Sequence, residues 1–513
     1  MATSVEVRGT VTQPEESPRA EGARPRAGTG LEEAGARSDR GGLSPRIWVT
    51  STYFAEGFPY TVVNNLAEVL FKHLGATYAA IGYTALLHLP WNLKFLWGPL
   101  LDRYGTKRRW LVGIEAIIAV GLVLAAVFAD GAFGLTPLWL VFGGIALLST
   151  THDIAVDGYY LEALDDAGQS RFVGWRAMAY RLAIIAVGGV GLVVVDAVGW
   201  RLGLLAMAAV MAVLWAVHRW GLPRAEMPQR SLMDLARAAS RPRVLTVGLL
   251  IAASIAAGRA LDLAVRIKHA VDAIPVLGGL SFGSWISLVF LVAVLGLLAG
   301  LSPLRSWLAG RDAPFARAYV SFLEQPRVTA LLLLVLSFRT GESFLMKMKW
   351  PFFQDVMGVE LGVYGAANGT FGLAASVGAT MLGGALIARH GLKRWLWPFV
   401  LGQNLLNLSY VGLSEGLLGT STAAVVSVIT LERIGEGLGT AVFMVYLMRC
   451  CHPEHKAAHM AIVTALMSVG FTVAGVVSGE LATAVGFSAY FALSFLATLP
   501  MMALLFFAPH LDR

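Results

Sequence analysis

One short basic stretch decides the fold of this chain: Gly98-Pro-Leu-Leu-Asp-Arg-Tyr-Gly105-Thr-Lys-Arg-Arg109, which lies between two long apolar runs. A similar stretch returns much later as Gly384-Ala-Leu-Ile-Ala-Arg-His-Gly391-Leu-Lys-Arg394, with the same spacing between its glycines. We call these two stretches the motif loops. Similar loops in the two halves of one apolar chain indicate a duplicated helical bundle in a membrane, an arrangement typical of transporters.

The composition supports a membrane protein. Hydrophobic residues make up 56% of the 513 positions and charged residues 14%, whereas an ordinary soluble domain has about 25% charged residues. Apolar runs of about 20 residues, enough for a helix to cross the hydrocarbon layer, recur from Ile47 towards the C-terminus. Because these runs do not alternate between apolar and polar residues, they predict an all-α integral membrane fold and exclude a β-barrel.

The basic residues predict how the chain is oriented. The first motif loop contains Arg103, Lys107, Arg108 and Arg109, whereas the next loop, residues 130–137, contains no Lys or Arg. Cytoplasmic loops of membrane proteins are enriched in these residues. We therefore expect the motif loops and both termini in the cytoplasm, and we attribute the net charge of +7 to orientation and not to nucleic-acid binding.

Four segments follow from the apolar runs. We predict a disordered cytoplasmic tail over residues 1–46, one six-helix bundle over 47–220, a linker with an inserted helical pair over 221–327, and a second six-helix bundle over 328–509. This gives about fourteen membrane helices, or twelve if the inserted pair does not span. Anchor residues match between the two halves: Phe54 and Gly57 with Phe338 and Gly341, Gly75 with Gly358, and Gly105 with Gly391.

Two family resemblances support this architecture. Gly98, Asp102, Arg103, Gly105 and Arg108 or Arg109 resemble the loop after the second helix in the major facilitator superfamily, and we assign these residues a gating role. A narrower set is similar to the AmpG muropeptide permease and acetyl-coenzyme A transporter-like family: Phe58-Pro59, Lys94-Phe-Leu-Trp97, Thr151-His-Asp153-Ile-Ala-Val-Asp157, Tyr180-Arg181-Leu182 and Glu432 with Gly435-Glu-Gly437-Leu-Gly439-Thr440. The resemblance implies a secondary transporter of the bacterial inner membrane that imports anhydromuropeptides with protons by alternating access. The inserted pair departs from this family.

Charged residues inside the predicted helices are the candidates for the solute and proton pathway, because an ion in hydrocarbon usually faces a cavity or a partner. These are Glu56, Lys94, Asp153, Arg181, Arg339, Glu342 and Glu432. Asp153 and Asp157 are four residues apart and share a helix face.

The charged candidates also have structural interpretations. Asp153 is either a proton carrier or a salt-bridge partner, while Asp157 most simply pairs with Arg103 or Arg109 as a latch. Lys94 and Arg181 either bind an anionic solute or neutralise carboxylates inside the bundle.

Other functions stay open at this point. The transported solute could instead be an acyl-coenzyme A, a peptide or a drug, and a non-transporting sensor or a membrane enzyme using His152 and Asp153 is also compatible with the sequence. The chain has no phosphate-binding loop and no zinc spacing such as His-Glu-x-x-His. We therefore expect no enzyme activity, no cofactor and no metal, with a small solute, protons and the lipid bilayer as partners. The sequence does not fix an oligomeric state. Adjacent Cys450 and Cys451 are interpreted as free thiols.

Overall fold

The computed structural model describes residues 42–94, 97–224, 230–231, 233–234, 237, 281–310, 314–452 and 456–511. These residues form helices, turns and loops with no β-strand, which confirms the predicted all-α fold. Eight helices in this part of the chain are long and apolar enough to cross a membrane. Most of the predicted N-terminal tail and the first inserted helix, predicted from about Val244, lie outside the described residues.

The N-terminal half contains six helices, three of which are interrupted. Helix α1 comprises Pro45–Thr61, a π-helical turn Val62–Leu66 and Ala67–His73; α2 comprises Tyr78–Tyr83, a 3₁₀ turn Thr84–His88, Leu89–Leu93 and Gly98–Arg103. Then follow α3, Lys107–Phe128; α4, Thr136–Ala163; α5, with Asp166–Ile185, a π-helical turn Ala186–Gly191 and Leu192–Val198; and α6, Trp200–Gly221.

The inserted segment contributes α7, Phe282–Ala309, and the shorter α8, Pro314–Leu323. The second half contains α9, with Val328–Ser337 and Thr340–Asp355; α10, with Leu361–Tyr364, a π-helical turn Gly365–Phe371 and Gly372–His390; α11, with Leu392–Leu405 and Leu408–Ser414; and α12, Thr422–Arg449. The segment Lys456–Leu496 bends at Gly486. The part before this bend is α13, and the part after it, together with Leu499–Leu505, is α14.

Side-chain caps set where several of these helices begin. The Thr106 hydroxyl accepts a hydrogen bond from the Arg109 amide at 3.3 Å, so α3 starts directly after the first motif loop. The Ser421 hydroxyl caps α12 in the same way through the Ala424 amide at 3.2 Å. These contacts satisfy amides that have no partner within the first helical turn.

The anchor glycines occupy matching places in the two halves. Gly75 and Gly358 follow the first helix of each half with φ values of 80° and 64°. Gly105 and Gly391 lie in the motif loops with φ values of 68° and 83°. Residues with a side chain rarely adopt this backbone region, so glycine is required where each half makes these turns.

The two bundles meet closely at glycine pairs. On α5 and α10, a Cβ atom added to Gly369 would lie 2.0 Å from the Gly188 carbonyl oxygen. On α2 and α13, a Cβ added to Gly479 would lie 1.7 Å from the Tyr78 carbonyl oxygen. Small residues thus let the backbones of the two bundles touch, as is common where membrane helices cross.

Candidate transport pathway

The helices define two ends of the molecule. We call the end that carries the motif loops the motif end, and the end that carries the connections at Gly75 and Gly358 the distal end. Between them, at the junction of the two bundles, lies a cavity of about 320 Å³. Its wall combines polar and charged side chains from both bundles, including Tyr60, Asn64, Asn65, Glu68, His88, Arg339, Glu342, Lys347, Lys349, Asn368, Arg433 and Glu436.

A charged cluster in the N-terminal bundle contains three predicted pathway residues. The Lys94 ammonium on α2 donates to the Asp153 carboxylate on α4 at 2.6 Å. The Lys94 side chain is 43% exposed and that of Asp153 is 14% exposed, so the pair can be reached by solvent. Glu56 on α1 is buried, faces Asp153, and has one carboxylate oxygen with no hydrogen-bond partner among the described atoms.

Asp157 has different partners from those that the sequence suggested. Its carboxylate accepts a hydrogen bond from the Tyr53 hydroxyl at 2.7 Å and forms an ion pair with Arg176 at 3.1 Å. The expected latch to Arg103 or Arg109 is therefore wrong in this structure. The reason is that Asp157 faces α1 and α5, and the Arg176 guanidinium also packs over the Tyr53 ring at 4.6 Å.

A second charged cluster lies in the C-terminal bundle. Glu432 on α12 pairs with Lys349 on α9 at 2.6 Å, and both side chains are almost completely buried, at 3% and 1% exposure. Arg433, the next residue on α12, pairs with Glu436 one turn further along at 2.6 Å. The side-chain oxygen Oδ1 of Asn368 accepts from two guanidinium nitrogens of Arg433 at 3.0 and 2.8 Å, which connects α10 to this cluster.

Arg339 and Glu342 complete the wall of the cavity. The two side chains, three residues apart on α9, approach to 3.6 Å. Arg339 also donates to the Thr440 hydroxyl at 2.7 Å, and Glu342 accepts from the Gln403 amide at 3.2 Å. This carboxylate and guanidinium are thus held by α11 and α12 as well as by each other.

Arg181 is the predicted cation that the structure leaves without a carboxylate. It is half-buried, and the described part of the chain offers it no ion pair. Ile184 and Gly188, three and seven residues further along α5, line the cavity. Arg181 lies one turn before Ile184, towards the motif end, and is not itself among the residues that line the cavity.

Ion pairs between the bundles lie in the distal half. Lys347 on α9 contacts Glu68 on α1 at 2.7 Å and donates to the Thr84 hydroxyl on α2 at 2.8 Å. Nearer the distal end, Lys72 pairs with Asp355 at 2.5 Å. The Asp355 carboxylate also accepts from the Tyr78 hydroxyl at 2.6 Å. These contacts hold the two bundles together on the distal side of the cavity.

The first motif loop contacts the region after α6. The Arg108 guanidinium donates to the Arg219 and Leu222 carbonyl oxygens at 2.7 and 3.2 Å. The Gly105 amide donates to the Arg230 carbonyl oxygen at 2.8 Å, and the Arg230 amide donates to the Arg103 carbonyl oxygen at 3.3 Å. Gly98 begins the last segment of α2, Arg109 lies in the first turn of α3, and the Asp102 side chain is outside what the structure describes.

Sequence reasoning missed several of these residues. Glu68, Lys72 and Asp355 carry the contacts between the bundles, but none was among the predicted pathway residues. Charges at positions 68 and 72, four residues apart at the end of an apolar run, were the available signal. Glu115 and His218, described below, were missed as well.

The fold and the charged central cavity define a membrane transporter. The sequence profile of the Major Facilitator Superfamily matches residues 49–338 and 331–513, and the chain belongs to this family. The resemblance noted in the motif loops is thereby confirmed, and the protein is a multi-pass membrane transporter.

Two curated relatives are more specific than the family profile. An anhydromuropeptide permease of Escherichia coli (strain K12) is 24% identical over 460 residues, which cover 88% of this chain and 77% of the relative. A putative transporter AmpG 4 of Rickettsia conorii is 21% identical over 462 residues, covering 88% of this chain and 93% of the relative. The chain is therefore AmpG-like, as its shorter motifs indicated.

Solved structures share the fold. A peptide transporter POT in complex with sulfate gives a TM-score of 0.63 at 15% identity, with 94% of this chain and 99% of that chain covered. The nucleoside transporter NupG gives 0.57 at 12% identity, with 90% and 99% covered. At these identities, the likeness concerns the fold alone.

Proposed function

We propose that this protein imports anhydromuropeptides across the bacterial inner membrane together with protons, by alternating access of the central cavity to the two ends. The name of the Escherichia coli relative supports this solute. The positive-inside rule supports a cytoplasmic motif end and cytoplasmic termini. In this orientation, the distal ion pairs close the periplasmic side, and the cavity of this conformation faces the cytoplasm.

The contact between Lys94 and Asp153 carries the proposed coupling. While Asp153 is ionised, its carboxylate holds the Lys94 ammonium at 2.6 Å. A proton on Asp153 removes this charge and frees Lys94 to bind a carboxylate of the solute. Loss of the proton restores the internal pair and displaces the solute. Competition for one ammonium group thus couples the binding of a proton to the binding of an anion.

Neighbouring groups support the same scheme. Glu56 faces Asp153 with a free carboxylate oxygen, so it is placed to exchange a proton with it. Arg181, which has no carboxylate partner among the described residues, supplies a second positive charge on α5, one turn before Ile184 of the cavity wall. Arg339 and the cations of the second cluster are already neutralised by Glu342, Glu432 and Glu436, so we assign them to the shape of the cavity and to gating.

The test is uptake of labelled anhydromuropeptide into cells that lack their own permease. We expect accumulation that a protonophore abolishes. Asp153→Asn should abolish accumulation of solute against its concentration gradient, because Lys94 is then permanently free. Movement of solute down its concentration gradient should remain. Asp234→Asn, which changes an exposed carboxylate of the linker, is the matched control and should accumulate solute normally.

Two results would contradict this assignment. Absence of uptake by well-expressed protein would exclude the muropeptide and direct the search to acyl-coenzyme A, other peptides or drugs. Normal, protonophore-sensitive accumulation by Asp153→Asn would show that coupling does not use the pair with Lys94.

A further inference from the structure

A second group of titratable side chains is buried inside the N-terminal bundle, away from the central cavity. It consists of Glu115 on α3, His152 on α4 and His218 on α6, each 0% exposed. The carboxylate oxygen Oε1 of Glu115 lies 2.7 Å from His218 Nδ1 and 3.2 Å from His152 Nε2. A carboxylate only accepts hydrogen bonds, so both imidazole nitrogens donate to it while Glu115 is ionised. No step of the proposed transport scheme uses these residues.

The other ring nitrogen of His218 can be occupied in two ways. His218 Nε2 lies 2.9 Å from the Ser51 hydroxyl oxygen on α1, which is also 3.3 Å from the Trp48 carbonyl oxygen. When Ser51 donates to Trp48, its oxygen can accept from a protonated Nε2, and His218 is an imidazolium. When Ser51 rotates and donates to Nε2, His218 is neutral. The ring therefore gains or loses a proton without moving, because a hydroxyl both donates and accepts.

A proton on this cluster would offset the charge of Glu115. A lone carboxylate is costly to bury, and an imidazolium beside it removes the net charge. The titratable groups facing Glu115 from the packed helices are His218 and His152, and α1 contributes the uncharged Ser51. Asp153, the residue after His152, binds Lys94 instead. Glu115 Oε2 and His152 Nδ1 are buried without a partner among the described atoms, so each offers a further place for a proton.

We propose that Glu115, His152 and His218 form a proton-binding site of the N-terminal bundle, separate from the transport cavity and reached from the motif end through Ser51. His218 lies in the last turn of α6, and Ser51, in the second turn of α1, is half-buried. The site joins α3 to α6 next to the Arg219 and Leu222 carbonyl groups that hold Arg108 of the motif loop.

The test follows the apparent Tm of the purified full-length protein in detergent, by tryptophan fluorescence, between about pH 5.5 and about pH 9, on either side of the ordinary imidazole pKa of about 6.5. If the site holds a proton that the unfolded chain releases, as proposed, wild-type Tm should fall as the pH rises. Glu115→Gln removes the negative charge that retains the proton. At acid pH this variant should have a lower Tm than wild type, because an imidazolium would lose its counter-charge. At alkaline pH its Tm should equal or exceed that of wild type.

The two curves are thus expected to cross. His218→Gln, which keeps a polar group but cannot titrate, should remove most of the alkaline fall, and it carries the test if Glu115→Gln does not fold. His390→Gln changes an exposed histidine at the motif end and should follow wild type. If Glu115→Gln and His218→Gln each lower Tm by the same amount at every pH, the cluster only links the helices and the proposal is wrong. The measurement needs no solute, so its result is independent of the proposed transport function.

Discussion

Replacing Gly369 by alanine should drive the two bundles apart at the distal end. The new Cβ atom would lie 2.0 Å from the Gly188 carbonyl oxygen and 2.5 Å from the Gly189 amide nitrogen. All of these are backbone atoms, so no side chain can rotate away. Relief of the overlap requires α5 and α10 to separate by roughly 1.4 Å, and overpacking of this kind costs about 1–3 kcal/mol.

This cost applies only to the conformation in which the distal halves touch. A change of about 1–3 kcal/mol shifts a two-state equilibrium about 5- to 150-fold. We therefore expect Gly369→Ala to populate a state that is open at the distal end. Gly378→Ala is the matched control, because Gly378 lies on the same helix and a Cβ atom added there would have no neighbouring atom within 4 Å.

Distances between spin labels measure this shift directly. Labels at Ala132→Cys and Leu417→Cys would lie in exposed distal loops of the two bundles, with the buried native Cys450 and Cys451 replaced by serine. Pulsed electron spin resonance should show longer distances for Gly369→Ala than for the parent or for the control. An unchanged distance distribution in Gly369→Ala would refute our assignment of the contact between Gly188 and Gly369 as one that must separate when the distal end opens.

Three further predictions concern charged contacts. Lys349→Met leaves Glu432 buried without its partner and should lower the free energy of unfolding by about 3–5 kcal/mol. In thermal unfolding, adding Glu432→Leu should recover much of this loss. An equal loss in the double variant would contradict the pairing. Lys72→Gln removes the more exposed pair with Asp355 and should cost under about 1 kcal/mol in the same assay, so a loss as large as that of Lys349→Met would be inconsistent with its exposure. Glu480→Gln should speed amide hydrogen exchange in the first turn of α7, because the Glu480 carboxylate accepts from the Gly283 amide at 3.0 Å and from two hydroxyl groups. Unchanged exchange would show that this contact does not hold the inserted helix.

Much of the architecture could be predicted because helices that cross a membrane need long apolar runs, which can be recognised in the sequence. The long apolar runs predicted the all-α membrane fold, which the structure confirms, whereas the four segment bounds and the count of about fourteen membrane helices stay predictions. The contact between Lys94 and Asp153 was anticipated as one of two alternatives, since a cation and a carboxylate in neighbouring apolar segments tend to find each other.

The other contacts depend on how helices are rotated against each other, which the sequence of each helix does not specify. Asp157 was expected to pair with Arg103 or Arg109, and the structure turns it towards Arg176 on α5. Lys347 and Glu68 lie 279 residues apart, so only the packing of the two bundles brings them together. Glu115 is a single charge in an otherwise apolar segment of α3, and nothing in that segment identifies two histidines from other helices as its partners.

The central claim is that the chain alone moves an anionic solute by using a proton gradient. Its most direct test is uptake of labelled anhydromuropeptide into liposomes that contain only the purified protein, with the pH of the two sides set independently. We predict accumulation above the external concentration when the outside is more acidic, and only equilibration when an ionophore removes the gradient. Accumulation that is indifferent to the pH difference, or no uptake by folded protein under either condition, would contradict the claim.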